Sequence, residues 1–384
     1  MIKLMVDGVF FQHKATGICR VWESLLRILV EDKNFKIFFL DRGNAPSIEG
    51  INYIPFPGYN FSFCCQDSIL IQKMCDVYDI DVFTSTFFTT PLNTPMLLLV
   101  YDMIPEVFNF DTLNERGWTE KEVAISFARK YVCISQSTAN DLIRFYPEIS
   151  SKDISVAYCG LDRQVFYPRT KSDCNSVLDQ IGFENYFLFV GERVQHAGYK
   201  NSSLFFDAIN RLNSDSENIL FVGGAKNIED SIASRVPSSF NYKHCFLSDD
   251  ELSSVYSSAK CLIYPSLYEG FGMPVIEAMA CGCPVITTKN GSLLEAGGDA
   301  ACYISGHSVE ELVSSIQKMS DQNYRDSLIE KGLLHSSIFN WLDMANCMKK
   351  AIEEIMTNNS KGMYSEFFSK YKTVRLLQSE VDFV

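Results

Sequence analysis

Two glutamates with seven residues between them bracket a glycine-containing turn in the stretch Tyr264-Pro265-Ser266-Leu267-Tyr268-Glu269-Gly270-Phe271-Gly272-Met273-Pro274-Val275-Ile276-Glu277. Carboxylates accept hydrogen bonds from vicinal hydroxyls, which sugar and ribose rings present. Gly270 and Gly272 let the backbone approach a ligand, and they open a helix whose N-terminus favours anions. An acid, an anion-binding turn and a second acid suit a ligand that is diphosphate in its middle and polyhydroxyl at both ends. Taken alone, the pair also fits a plainer role. Glu277 would then complement the helix dipole and Glu269 would be a solvated charge.

Other groups offer less. Asp79-Ile80-Asp81 has the carboxylate spacing that holds divalent cations in some transferases. Here it falls where a helix ends and a strand begins, so it is rejected as a metal site. His13 and His196 are expected in loops, where a solvated imidazole is commoner than a catalytic one. The 13 cysteines form no disulfide framework. Cys133, Cys261 and Cys302 sit in apolar runs, while Cys64-Cys65 and Cys281-Gly282-Cys283 lack a second pair at zinc spacing. A reducing, cytoplasmic setting is the better reading.

The elements that must position the two acids follow a βαβ rhythm, with short apolar runs alternating with longer amphipathic ones. Strands are expected at 3–6, 36–40, 81–84, 96–100, 131–134 and 154–157, and helices at 20–30 and 137–146. The polar stretch 162–183 shows no clear period and reads as a linker. The rhythm resumes with strands at 186–190, 219–222, 243–246, 261–264, 284–287 and 301–304. Ser248-Asp249-Asp250-Glu251 begins a helix with a capping box. Pro274 suits the first turn of the helix that carries Glu277, and Gly282 suits its end. The chain reads as helical from about 308 to 357.

With 384 residues, two domains are expected. The net charge of -13 argues against nucleic acid as a partner. The N-terminus lacks the features of a signal peptide, and no apolar run approaches bilayer length. Neither half opens with G-x-G-x-x-G after its first strand, which disfavours a nicotinamide dehydrogenase.

The ordered stretch from Tyr264 to Ile286, continued by Asn290-Gly291-Ser292-Leu293-Leu294-Glu295, resembles the donor-binding signature of retaining glycosyltransferases of family 4, the group 1 glycosyltransferases. Phe189-Val190-Gly191-Glu192-Arg193 with Tyr199-Lys200-Asn201 is similar to that family's strand-end segment. Ile134-Ser135-Gln136-Ser137 resembles its Ser-containing turn, and Phe246-Leu247-Ser248 lies where the family meets the nucleobase. The resemblance runs in order over roughly 1–355 and is strongest over 186–305. It departs in two places. The first-domain loop has the single glycine Gly17, followed by Arg20, and Tyr101 precedes Asp102 where the family often has His-Asp.

The resemblance implies an α/β protein of GT-B architecture, two facing Rossmann-like domains with a cleft between them. Residues 1–165 would take the acceptor, 166–357 would hold the donor, and the tail 358–384 would return to the first domain. It implies retaining, metal-independent transfer of a hexose-type sugar from GDP-mannose or a UDP-sugar to a saccharide or lipid-linked saccharide, as in bacterial surface polysaccharide synthesis. Glu269, Arg193, Lys200 and Asp102 would be catalytic. Glu277, Gly270, Phe271, Gly272, Gly17, Leu247 and Ser135 would bind the donor. No cofactor is implied, because the nucleotide sugar is a substrate. The location implied is cytoplasmic, at or near the inner face of a membrane that the basic, aromatic tail is equipped to touch. Two rivals stay open, a nucleotide-sugar epimerase or hydrolase of the same fold and a catalytically silent nucleotide-sugar-binding or scaffold subunit.

Overall fold

The structure is a computed structural model and describes residues 1–12, 17–60, 66–110, 116–191, 198–212, 217–224, 234–357, 369, 371–373 and 376. The chain divides into two compact units. One comprises residues 1–160 and 341–384, the other 161–340.

In the first unit, β1 (Ile2–Asp7), β2 (Phe35–Asp41), β3 (Asn52–Pro55) and β4 (Val82–Ser85) form a parallel sheet in the order β3-β2-β1-β4. A parallel bridge from Phe83 to Met96 continues it towards a second parallel sheet. That sheet holds β5 (Leu97–Val100), β6 (Lys130–Cys133) and β7 (Ile154–Val156). The helices α1 (Gly17–Leu29), α2 (Gln66–Tyr78), α3 (Ile104–Val107), α4 (Arg116–Phe127) and α5 (Gln136–Phe145) connect the strands. Strands such as Leu97-Leu98-Leu99-Val100 are buried along their whole length, as parallel strands covered on both faces must be.

The second unit has one parallel sheet, in the order β10-β9-β8-β11-β12-β13. Its strands are β8 (Tyr186–Val190), β9 (Glu217–Val222), β10 (Phe240–Cys245), β11 (Cys261–Tyr264), β12 (Val285–Thr288) and β13 (Cys302–Ile304). Its helices are α6 (Lys171–Ile181), α7 (Ser202–Ile209), α8 (Asp249–Ser258), α9 (Met273–Ala280), α10 (Ser292–Gly297), α11 (Val309–Lys318) and α12 (Gln322–Ser336). In sequence terms each unit runs 3-2-1-4 and onwards, the doubly wound order of a Rossmann-like sheet.

Three expectations need correction. The stretch 162–183 is not all linker, because it contains α6. Thr170 and Asp173 form a capping box, Gly182 ends the helix at φ 88°, and Cys174, Val177, Leu178 and Ile181 are buried. Strand β3 has no counterpart among the expected strands, because only one of its four residues, Ile54, is buried. The last helix, α13 (Trp341–Thr357), belongs to the first unit rather than to 166–357. Its buried stripe of Met344, Ala345, Met348 and Ile352 packs on α1, β6 and β7. Lys349 reaches Asp32 at 3.2 Å and Glu354 reaches Lys130 at 2.9 Å. Tyr371 also lies in this unit, bonded to the Thr90 hydroxyl at 2.7 Å.

Candidate functional site

In the sheet of the second unit the chain moves outward in opposite directions from β8, to β9 on one side and to β11 on the other. The loops that leave the carboxyl ends of β8 and β11 flank this switch point, which is where doubly wound sheets bind ligands. One of these loops supplies Lys200 and the other Glu269. Their side chains meet, with Lys200 Nζ 2.6 Å from Glu269 Oε1. Lys200 Nζ also donates to the Tyr264 hydroxyl at 3.1 Å. The Lys200 and Glu269 side chains are 17% and 10% exposed, so water screens the pair little. Burial raises the Tyr264 phenol well above its ordinary value, and the neighbouring Glu269 adds to the shift. The phenol thus stays neutral between the ammonium and the carboxylate.

Hydrogen bonds hold these loops to the ends of four strands. The amide of Leu267 donates to Tyr199 O at 2.7 Å. Asn201 Nδ2 donates to Pro265 O at 3.1 Å and to Gly306 O at 2.8 Å. The Thr288 hydroxyl donates to Ser266 O, and that of Ser292 to Glu269 O, each at 2.6 Å. Asn201 adopts φ 55°, a left-handed turn that Asn tolerates better than most residues. In the sequence Asn201, Tyr264 and Ser292 stand out only as parts of motifs. Their roles come from contacts between segments far apart in the chain.

Gly272 caps α9 at φ 104°. A Cβ there would lie 2.9 Å from Leu293 Cδ2, so glycine is required both by conformation and by the packing of α10. Phe271 is buried, with its ring 5.4 Å from that of Phe339. It anchors the turn from behind. Glu277 lies in the second turn of α9 and is only 3% exposed. The hydroxyl of Tyr256, itself fully buried on α8, donates to Glu277 Oε2 at 3.2 Å. A carboxylate this deep needs such donors to offset its lost hydration. Leu247 sits between the end of β10 and the Ser248 cap of α8, half-buried at the same sheet edge.

The structure thus joins Lys200 to Glu269, and from Glu269 the chain runs through Gly270, Phe271 and Gly272 into α9, which carries Glu277. Arg193 and both loop histidines, His13 and His196, lie outside the described residues. The first-unit candidates make the following contacts. The Asp102 carboxylate accepts from the Ile104 amide at 2.9 Å and so shapes the start of α3. Ser135 is fully buried as the N-cap of α5, accepting from Thr138 N at 3.0 Å. The Tyr101 hydroxyl is enclosed, accepting from Trp22 Nε1 and donating to Thr86 O at 3.2 Å. That arrangement leaves it no face for a sugar. Gly17 is the first residue of α1, with open space where a Cβ would stand. Asp79 and Asp81 are both tied to Lys3, through its ammonium at 3.0 Å and its amide at 2.9 Å.

Residues 179–334 match the family model described as "Glycosyl transferases group 1". They contain Lys200, Glu269, Glu277 and Tyr256. That match fills most of the second unit. Among curated relatives, the chain is 25% identical over 238 residues to O-antigen chain mannosyltransferase B of Escherichia coli. It is 29% identical over 240 residues to O-antigen chain mannosyltransferase RfbU of Salmonella typhimurium. These matches cover 60% and 61% of this chain, and 61% and 64% of the two relatives. The match thus spans somewhat over three fifths of each relative's length.

The fold is the GT-B fold of known structures. The sucrose-phosphate synthase from Thermosynechococcus elongatus superposes with a TM-score of 0.71 at 17% identity, covering 93% of this chain and 100% of that one. Anabaena Alr3699/HepE in complex with UDP and glucose gives 0.71 at 16% identity, covering 92% and 100%. At these identities the likeness speaks for the fold alone. Among the described residues, no helix is long and apolar enough to cross a membrane.

Proposed function

We propose that the second unit binds a nucleotide-diphosphate sugar and that the chain transfers its hexose to a saccharide or lipid-linked saccharide acceptor. The observation that carries this reading is the Lys200–Glu269 pair, 2.6 Å apart beside the Gly270–Gly272 turn. A cation and a carboxylate that close together take adjacent parts of one ligand, a phosphate and a hydroxyl. Glu269 receives hydroxyls of the transferred sugar and Glu277 those of the ribose. Lys200, with Arg193 beside it in sequence, neutralises the departing diphosphate as its bond to the sugar breaks. In this reading the two side chains do the work that a divalent cation does elsewhere, so chelators leave the reaction unaffected.

Transfer proceeds with retention. The acceptor hydroxyl attacks from the face that the diphosphate leaves, and a leaving phosphate oxygen receives the acceptor's proton. The two O-antigen mannosyltransferase relatives support mannose as the hexose, which makes GDP-mannose the first donor to try and a UDP-sugar the second. They also support a role in surface polysaccharide synthesis.

Thermal-shift titration with GDP, UDP, ADP and their sugar conjugates tests the donor site. One nucleotide family stabilises the wild type, and Glu277→Ala weakens that stabilisation. If no nucleotide shifts the melting temperature, the donor site is refuted and a scaffold subunit becomes the better account. Incubation with the preferred donor and no acceptor then separates the alternatives. An epimerase or hydrolase consumes the donor alone, whereas a transferase needs an acceptor. The anomeric configuration of the product, read by NMR, decides retention.

A further inference from the structure

The first unit carries a second site with the chemistry of a sugar. A cavity of about 250 Å³ opens between α3, the start of α4 and the end of α5, lined by Glu106, Asn109, Phe110, Trp118, Lys121, Glu122 and Phe145. It begins a few residues beyond the carboxyl end of β5. Three of its walls are aromatic. The rings of Phe110 and Trp118 stand 6.5 Å apart at 70°, so they form a corner rather than a parallel slot. A flat base meets one face of such a corner and leaves the other empty. A puckered ring with an apolar C–H face on one side fills it.

The polar wall is arranged for a neutral guest. Lys121 is 2% exposed, and its ammonium is engaged by Glu106 at 2.7 Å and by the Asp102 carbonyl at 3.0 Å. The Glu106–Lys121 pair cancels in charge and forms a fixed floor. Glu122, at the rim, leaves the cavity with one net negative charge, which opposes phosphates and other anions. Its carboxylate accepts from hydroxyls, and Asn109, held at φ 51°, offers both a donor and an acceptor. Apolar faces on one side and uncharged or acceptor groups on the other match a pyranose, and the volume suits one such ring.

We propose that this cavity is a saccharide subsite, which binds one neutral pyranose of a glycan through Trp118, Phe110, Asn109 and Glu122. It rests on the proposed function only for its purpose, the holding of a saccharide acceptor. The binding itself is independent of the donor site.

The test uses the whole chain and three probes: methyl α-D-mannopyranoside, methyl α-D-glucopyranoside and N-acetylglucosamine. Trp118 is the half-buried one of the three tryptophans, since Trp22 is fully buried and Trp341 nearly so. At least one probe gives a saturable tryptophan-fluorescence shift in the wild type and equally in Glu269→Ala. Trp118→Phe loses the shift. Saturation-transfer NMR to the same sugar falls several-fold in Trp118→Ala and in Glu122→Gln, while circular dichroism and melting temperature confirm that both remain folded. Absence of a saturable shift with all three probes overturns the inference. So does undiminished NMR transfer in a folded Trp118→Ala. A shift abolished by Glu269→Ala instead puts the sugar at the donor turn, which overturns the subsite and favours the proposed function. Sugar binding at Trp118 in a protein that no nucleotide stabilises leaves the subsite standing and removes the transferase reading.

Discussion

Tyr256 donates its buried hydroxyl to one oxygen of Glu277 at 3.2 Å, which fixes the plane of a carboxylate that is otherwise almost enclosed. A fixed carboxylate discriminates by geometry. If Glu277 grips the ribose hydroxyls, the wild type binds a ribonucleoside diphosphate more tightly than its 2′-deoxy analogue. Tyr256→Phe keeps the ring and deletes only the hydrogen bond. The expected result is a smaller ribo-to-deoxy affinity ratio by calorimetry, by several-fold, which corresponds to roughly 1 kcal/mol, the usual net worth of one hydrogen bond. A general loosening of the fold would weaken both nucleotides equally and leave the ratio unchanged, and that outcome would falsify the positioning role.

The Lys200–Glu269 pair predicts a stability signature as well as loss of transfer. Lys200→Met leaves the Glu269 carboxylate enclosed without its cation. The cost is on the order of 2 kcal/mol, below that of fully enclosed pairs because the lysine keeps some contact with water. Adding Glu269→Gln removes the stranded charge and recovers part of the loss. A double-mutant cycle in urea measures the coupling. Additive single effects would mean that the two side chains do not interact in solution. Transfer is abolished in all three variants, since each lacks a phosphate or sugar contact.

Gly272→Ala tests the turn itself. The left-handed conformation costs a residue with a Cβ about 1–2 kcal/mol, and the 2.9 Å approach to Leu293 adds to it. Both melting temperature and nucleotide affinity fall. At Gly17 no atom of the described residues stands within 4 Å of the place a methyl group would take, and Gly17→Ala leaves the melting temperature unchanged or slightly raised, as expected for alanine in a helix. Equal destabilisation at both positions would refute the conformational argument.

These contrasts mark what the sequence reveals. The strand–turn–helix around Glu269 and Glu277 is local, so its glycines, its proline and its spacing announce it, and the structure brings those residues to one edge. Helix α6 is hard to see because its apolar positions are few and a polar, proline-containing approach precedes them, although the Thr170–Asp173 capping box is a readable signal. The affiliation of α13 with the first unit is invisible in sequence, since an amphipathic stripe does not name the surface it covers. The contacts of Ser135 and Tyr101 are equally hidden. A hydroxyl satisfied by Thr138 or Trp22 looks in sequence like one available to a ligand.

The buried thiols predict how stability depends on pH. Loss of hydration pushes Cys75, Cys261 and Cys281 up to about 12 and holds Cys283 well above its ordinary value of 9.0. In the unfolded chain these thiols ionise near 9.0. Below that pH both states hold the proton and the thiols' contribution to stability is fully present. From about pH 9 towards pH 12 the unfolded chain binds fewer protons than the native one, so stability falls as pH rises. Buried tyrosines such as Tyr264, also shifted upward, act in the same direction. The urea midpoint is therefore expected to be level from about pH 7 to pH 8.5 and to decline steadily above it. Cys281→Ala makes the decline shallower, because one shifted group is gone. Native protein at about pH 8 leaves Cys281 and Cys283 unmodified by a thiol reagent that labels them at once in urea. A midpoint that stays level above about pH 9, or prompt labelling of Cys281 in the folded protein, would show that these thiols reach water and that their burial does not govern the alkaline transition.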